Sequence, residues 1–285
     1  MLLLLSVGAC EKDSGSPAGT IAAVDDAGDT VHLAKPAARV VSLVPATTEI
    51  LFAIGAGPLM VGRTRWDDYP AEASQVPDVG DGINPNTEAI LAQRPELVVL
   101  YLSGSNAGAA ERLRQLGVPT IQLRVDRLGD VSRIARLLGK LTGLEAQGDS
   151  VARATEDALA RVSLPRDPAG PRILIVAWDQ PPMVIGGGSF LSELVERAGA
   201  VNLFGDLALP SAQVSIEAIV SRNPDALLVS SDGPPSIASR PEWRTVPAVR
   251  ANRFIHVTSS AFSRPSPRAA EAIEELKQKV AAFRP

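Results

Sequence analysis

Two stretches of the chain, 129 residues apart, carry one pattern. Glu88 to Leu100 reads EAILAQRPELVVL, and Glu217 to Val229 reads EAIVSRNPDALLV. Each is a helix of about two turns stopped at a proline, whose ring removes an amide donor and disfavours helical backbone at the residue before it. Each then enters a run of apolar residues suited to a buried strand. A second match lies upstream at an offset of 144, with Thr48 to Ala56 (TEILFAIGA) set against Ser192 to Ala200 (SELVERAGA). Identities at matching places in two segments predict two related lobes with a cleft where they face each other. The length, 285 residues, suits two units at about 150 residues per domain.

From Arg39 onward short apolar runs alternate with helical segments. The strand-like runs are Val40 to Val44, Pro58 to Arg63, Leu97 to Leu102 and Thr120 to Arg124 in the first half. Arg172 to Trp178, Met183 to Ile185, Ala226 to Ser230 and Phe254 to Thr258 follow in the second. This predicts an α/β fold, two Rossmann-like lobes with largely parallel sheets. Thr47-Thr48-Glu49 opens an expected amphipathic helix ending at Gly55. Before it, residues 20–33 place two short strands around Asp25-Asp26-Ala27-Gly28-Asp29, a hairpin with His32 on its surface. Between the halves, Val131 to Ser163 lacks proline and repeats its apolar residues at helical spacing. One helix joining the lobes is expected there, about 50 Å long if unbroken, with Gly139, Gly143 and Gly148 as the places where it could break. The expected division is therefore 20–130 for the N-terminal lobe, 131–163 for the connecting helix and 164–285 for the C-terminal lobe.

Composition excludes several functions. With 28 Lys and Arg against 32 Asp and Glu, a net charge of -4, the chain has no bulk attraction for nucleic acid. A single cysteine and two histidines, His32 and His256, exclude a disulfide framework and any Cys-rich metal site. No Gly-x-Ser-x-Gly elbow, Walker loop or His-Glu-x-x-His helix is present, so neither catalysis nor a resident cofactor or metal is expected. Ile185 to Ser189 (IGGGS) reads as a tight strand-to-helix turn, or as a backbone cradle for an anion. Residues 1–9 have the form of a signal peptide's apolar region, and Val7-Gly8-Ala9-Cys10 that of a lipobox. Cys10 is then the expected lipidation site, with 10–19 as a tether holding the protein outside the cytoplasmic membrane.

The motifs RVVSLVPATTE (39–49), VGRTRWDDYP (61–70), NTEAI (86–90), QVSIE (213–217) and RPSPR (264–268) together resemble those of substrate-binding proteins of bacterial importers for vitamin B12, haem and ferric siderophores. The resemblance runs from about Thr20 to Arg284 and is nearest the vitamin B12-binding branch. It implies two lobes, a ligand cleft between them, no catalysis, and a monomer that delivers its ligand to a dimeric ABC permease with ATPase subunits. On that fold Pro45, Ala46 and Thr47 follow the first strand into the cleft. Trp66 and Tyr69 on one wall, with Trp178 on the other, would hold a large planar ligand such as a corrinoid. Arg63, Arg65 and Arg264 would supply donors to its periphery. Where the vitamin B12 branch tends to place an acid and an aromatic, this chain has Ser259-Ser260-Ala261-Phe262, with Phe262 as the aromatic candidate. Ferric siderophore is therefore the alternative ligand, and haem would call for an axial Tyr69, Tyr101 or His256. By the same resemblance Glu88 and Glu217, each two residues after a plausible N-cap (Asn86, Ser215), would meet arginines on the two halves of the permease.

Overall fold

A computed structural model describes residues 20–283. Strands β1 (Ile21–Val24) and β2 (Thr30–Leu33) form the expected antiparallel hairpin. Its turn closes on Asp25, whose Oδ1 accepts the Ala27 and Asp29 amides, while Oδ2 accepts the Gln122 amide at 3.0 Å and ties the hairpin to the lobe behind it.

The N-terminal lobe is a four-stranded parallel sheet in the order β4-β3-β5-β6. It comprises β3 (Val40–Ser42), β4 (Met60–Gly62), β5 (Leu97–Tyr101) and β6 (Thr120–Leu123). Helices α1 (Pro45–Ala53), α2 (Thr87–Ala92) and α3 (Gly104–Gln115) connect them. The central strands β3 and β5 are apolar apart from Ser42 and Tyr101 at their ends, because both faces are covered. Helix α1 differs from expectation: it begins at Pro45, and Ala46 through Leu51 are all buried. A helix wedged between a sheet and a second lobe has no solvent face to keep polar, so it is not amphipathic.

The expected single helix over 131–163 is two. Helix α4 (Leu128–Thr142) ends at Gly143, whose φ of 74° is left-handed, and α5 (Glu145–Val162) runs back against it. Glycine adopts that conformation at no steric cost. Gly139 and Gly148 let the two backbones approach: a Cβ at Gly148 would lie 2.6 Å from the Ala135 carbonyl oxygen. Helix α4 packs Val131, Ile134, Leu138 and Leu141 into the N-terminal core, so that lobe extends beyond residue 130. Both helices reach the second core, α4 at its first residue Leu128 and α5 at Leu159, and α5 also places Ala152 in the first.

The C-terminal lobe repeats the plan. Strands β7 (Arg172–Asp179), β9 (Val201–Asn202), β11 (Ala226–Val229) and β12 (Phe254–His256) are parallel. Strands β8 (Pro182–Ile185) and β10 (Ser211–Gln213) add an antiparallel extension on the far half of β7. Its helices are α6 (Phe190–Arg197), α7 (Ile216–Arg222), the short α8 (Ser236–Ser239) and α9 (Pro247–Arg250), and α10 (Ala269–Val280).

The internal repeat is structural. Val40 pairs with Leu97 as Ile173 pairs with Ala226. Gly55 and Gly199 both have φ 82°, and Arg94 and Asn223 are left-handed before their prolines. Glu96 accepts the Ala38 amide and Asp225 the Arg172 amide, each at 2.7 Å.

Candidate functional site

The ends of β3, β5 and β6 and the starts of α1, α3 and α6 meet at a cleft of about 800 Å³ between the lobes. This is where parallel α/β sheets present their loops and helix N-termini. Its volume lies toward the upper end of small-molecule sites, which run to about 1,000 Å³. The N-terminal lobe supplies most of the lining, including Val44, Pro45, Ala46, Trp66 and Tyr101, while Phe190 is the aromatic of the C-terminal wall. Trp66 is 59% exposed, an indole left open by the fold. Tyr101 donates its hydroxyl to Asp126 at 2.7 Å, and burial together with that carboxylate pushes the phenol up to about 12. Tyr101 is the haem-ligand candidate that lines the cleft; Tyr69 and His256 do not.

Several expected ligand contacts lie elsewhere. Thr47 is buried inside α1, its hydroxyl 2.9 Å from the Val44 carbonyl and 2.7 Å from Ser42 Oγ. Tyr69 lies outside the cleft with the Arg268 guanidinium 3.8 Å over its ring. Trp178 is 62% exposed on the antiparallel extension and donates Nε1 to the Gln180 carbonyl; it does not line the cleft. Phe262 is in the C-terminal core. Arg63 donates to the carbonyls of Thr64 and Ser74, and Arg65 is exposed outside the lining. The glycines of 186–188 do not cradle an anion: their amides donate to the carbonyls of Pro210, Leu207 and Leu209. Phe190 and Asp126 went unrecognised in the sequence because neither stands in a motif, and only the meeting of the lobes brings them together.

Arg264 does reach the cleft, but in an ion cluster between the lobes. Its Nε donates to Glu49 Oε1 at 2.7 Å, and Arg268 donates to both oxygens of the same carboxylate at 2.7 and 3.0 Å. Arg264 also donates to Asp68 and to the Trp66 carbonyl. Glu49 is 1% exposed and each arginine 11%. Beside it the Asp67 carboxyl is raised by burial, against the pull of hydrogen bonds from Thr48 and Thr64. The repeat places a counterpart across the cleft: Glu193, equivalent to Glu49, pairs with Arg127 and accepts the Leu128 amide at 2.8 Å. Two glutamates, one from each lobe, thus grip the opposite lobe.

On the outer surface, Asn86 and Ser215 cap α2 and α7, accepting the Ala89 and Ala218 amides at 3.0 and 3.2 Å. Glu88 and Glu217 occupy the first turns and are exposed. Hydrogen bonds from its own backbone and from Ser215 hold the Glu217 carboxyl below its usual range. Cys10, the signal peptide and the tether lie outside the described residues.

Two lobes of one design, facing each other across an aromatic-lined cleft and joined by a crossing helix, define a bilobed ligand-binding protein. The model of the family described as periplasmic binding protein matches residues 40–261, and the chain belongs to that family. It is 29% identical over 244 residues to a vitamin B12-binding protein of Vibrio parahaemolyticus, spanning 85% of this chain and 89% of that one. It is 29% identical over 268 residues to YvrC of Bacillus subtilis, described as an uncharacterized ABC transporter substrate-binding lipoprotein, spanning 90% and 84%. The crystal structure of the periplasmic vitamin B12-binding protein BtuF of Vibrio cholerae aligns with a TM-score of 0.71 at 25% identity, covering 87% of this chain and 98% of that chain.

Proposed function

We propose that this protein captures a corrinoid outside the cytoplasmic membrane and delivers it to an ABC importer. The observation that carries the reading is the interlobe cleft, floored by helix N-termini and carrying exposed Trp66 on its N-terminal wall. Trp66 and, on the C-terminal wall, Phe190 suit a large ring by apolar burial and dispersion. Pro45 and Ala46 give a smooth floor beneath it, and Arg264 fixes the Trp66 loop through the loop's own carbonyl. Similarity to vitamin B12-binding relatives supports the choice of ring.

Glu88 and Glu217 are assigned to docking on a two-fold permease with its ATPase subunits, because equivalent exposed acids on the two lobes match equivalent basic sites on two subunits. Cys10 is assigned to the lipid anchor, in keeping with the lipoprotein relative. Replacing Cys10 with Ser should release the protein into the soluble fraction of a lipoprotein-processing bacterium.

The test is thermal denaturation with cyanocobalamin, cobinamide, haem and ferric siderophores, read beside visible spectra. A ligand that binds only the folded state raises the midpoint as its concentration exceeds Kd. Stabilisation by corrinoids supports the reading; stabilisation by a ferric siderophore alone replaces it.

A further inference from the structure

The cleft's chemistry is one-sided. Of its lining residues Asp68, Asp81 and Asp126 bear carboxylates, and Arg264 alone bears a cation. Each of its three nitrogens already donates, Nε to Glu49 and the terminal nitrogens to Asp68 and the Trp66 carbonyl. Amides of Asn84 and Ile83, helped by the charge of Arg65 outside the lining, hold the Asp81 carboxyl below its usual range, so it stays ionised. The Tyr101 hydroxyl is already given to Asp126 Oδ1, whose second oxygen accepts no donor among the described residues.

A separate observation points the same way. Asn106 lines the cleft, is 2% exposed and donates Nδ2 to the Tyr101 carbonyl at 3.0 Å. That bond fixes the amide, since a flip would set two oxygens against each other. Its Oδ1 is left buried with no donor. A buried acceptor without a partner carries a desolvation cost, which an N–H reaching it from the cleft would remove.

Helix N-termini would by themselves favour an anion, each with about half a positive charge. At α3 and α6 some of those amides are already taken, while α1 has no side-chain cap. Ser103 Oγ accepts from Asn106, Ser189 Oγ from Leu191, and the Asp126 carbonyl from Phe190. Each carboxylate brings a full charge against about half a charge at a helix end.

We propose that the cleft sorts ligands by charge as well as by shape, accepting one whose rim offers N–H donors and no anionic groups and rejecting its carboxylate-fringed counterpart. The inference rests on the reading of this cleft as a small-ligand site and specifies the chemical class it takes. For a corrinoid, it means a ring fringed with carboxamides. For a ferric chelate, it means a cationic hydroxamate rather than an anionic catecholate.

The experiment is calorimetric titration of the intact protein with two matched pairs at low and high salt. One pair is cobinamide and cobyrinic acid, the same ring with amide or carboxylate rim; the other is a cationic ferric trihydroxamate and a ferric tricatecholate. The non-anionic member should bind at least about tenfold tighter, with the margin shrinking in high salt as exposed charges are screened. Asp81→Asn with Asp126→Asn should bring the two members to within about threefold. The wild-type comparison decides without any variant having to fold. Equal or tighter binding of the anionic member overturns charge sorting and leaves the binding function standing. Preference within the chelate pair alone supports charge sorting and overturns the corrinoid assignment, and no binding by any of the four overturns both.

Discussion

The two lobes share one frame and differ where they face each other. On the outside they correspond closely: a side-chain cap two residues before Glu88 and Glu217, a left-handed residue before a proline, and a carboxylate-to-amide tie at Glu96 and Asp225. At the cleft the equivalence ends. The N-terminal lobe provides Trp66, Tyr101 and all three carboxylates, and the C-terminal lobe mainly Ser189, Phe190 and the segment around Arg264. The lobe-gripping glutamates show the same divergence, since Glu49 is sealed between two arginines whereas Glu193 meets an Arg127 that is 47% exposed. A duplicated frame thus presents a symmetric outer face suited to a symmetric partner and an asymmetric inner face suited to an asymmetric ligand.

The sharpest way to break that division is at the outer face. Glu88→Arg with Glu217→Arg should abolish stimulation of the transporter's ATPase and uptake in liposomes while leaving ligand affinity nearly unchanged. Normal coupling by the double variant would reduce these acids to partners of their helix dipoles.

Next in size is the contrast between the two interlobe glutamates. Glu49→Ala leaves Arg268 without its carboxylate and Arg264 with Asp68 alone, both guanidiniums being nearly buried, and should lower stability in urea by about 3 to 5 kcal/mol. Glu193→Ala removes a less buried pair and one amide acceptor, and should cost about 1 kcal/mol. Equal effects would mean that the two grips are energetically equivalent despite their burial.

Within the cleft, Trp66→Ala should weaken ligand binding by about five- to 150-fold, the equivalent of about 1 to 3 kcal/mol for one large apolar side chain. Trp178→Ala, on the extension peculiar to the second lobe, should stay within about twofold by calorimetry. A large loss at Trp178 would show that the second lobe moves its extension over the ligand.

The smallest expected effect is a pH dependence confined to the first lobe. Burial raises the folded-state value of Asp67 above the usual 3.8. As pH rises from 3.8 toward that raised value, the unfolded chain releases its proton first. Stability should therefore fall across that window and level off above it. In Asp67→Asn the decline should disappear from urea midpoints measured across the same range.

Much of the fold was legible because its signals are local. Proline after a short apolar helix, Asn86 and Ser215 at N-caps, the Asp25 turn and a repeat at two offsets each act over a few residues, and each appears where expected. The glycines of 139–148 were also visible, but whether they soften a helix or turn it back depended on a partner surface. Helix α4 folds over because Val131, Ile134 and Leu138 bury against the N-terminal sheet, a gain that spacing along the chain does not reveal.

The site divided along the same line. Sequence alone determined that two α/β lobes exist, that Pro45 and Ala46 follow a strand of the first lobe into the cleft, and that Glu88 and Glu217 are equivalent. Only the tertiary structure decided which aromatic and charged residues reach the ligand. Trp178 follows a register shift between Val176 and its own position in β7, and one extra residue in a strand changes the face on which later side chains emerge. Arg264 looked like a free donor until α1 brought Glu49 against it from 215 residues away. Caps, turns and strand periodicity are settled by neighbours in the chain, whereas which of several similar side chains faces a cleft is settled by the packing of elements that meet only after the chain has folded.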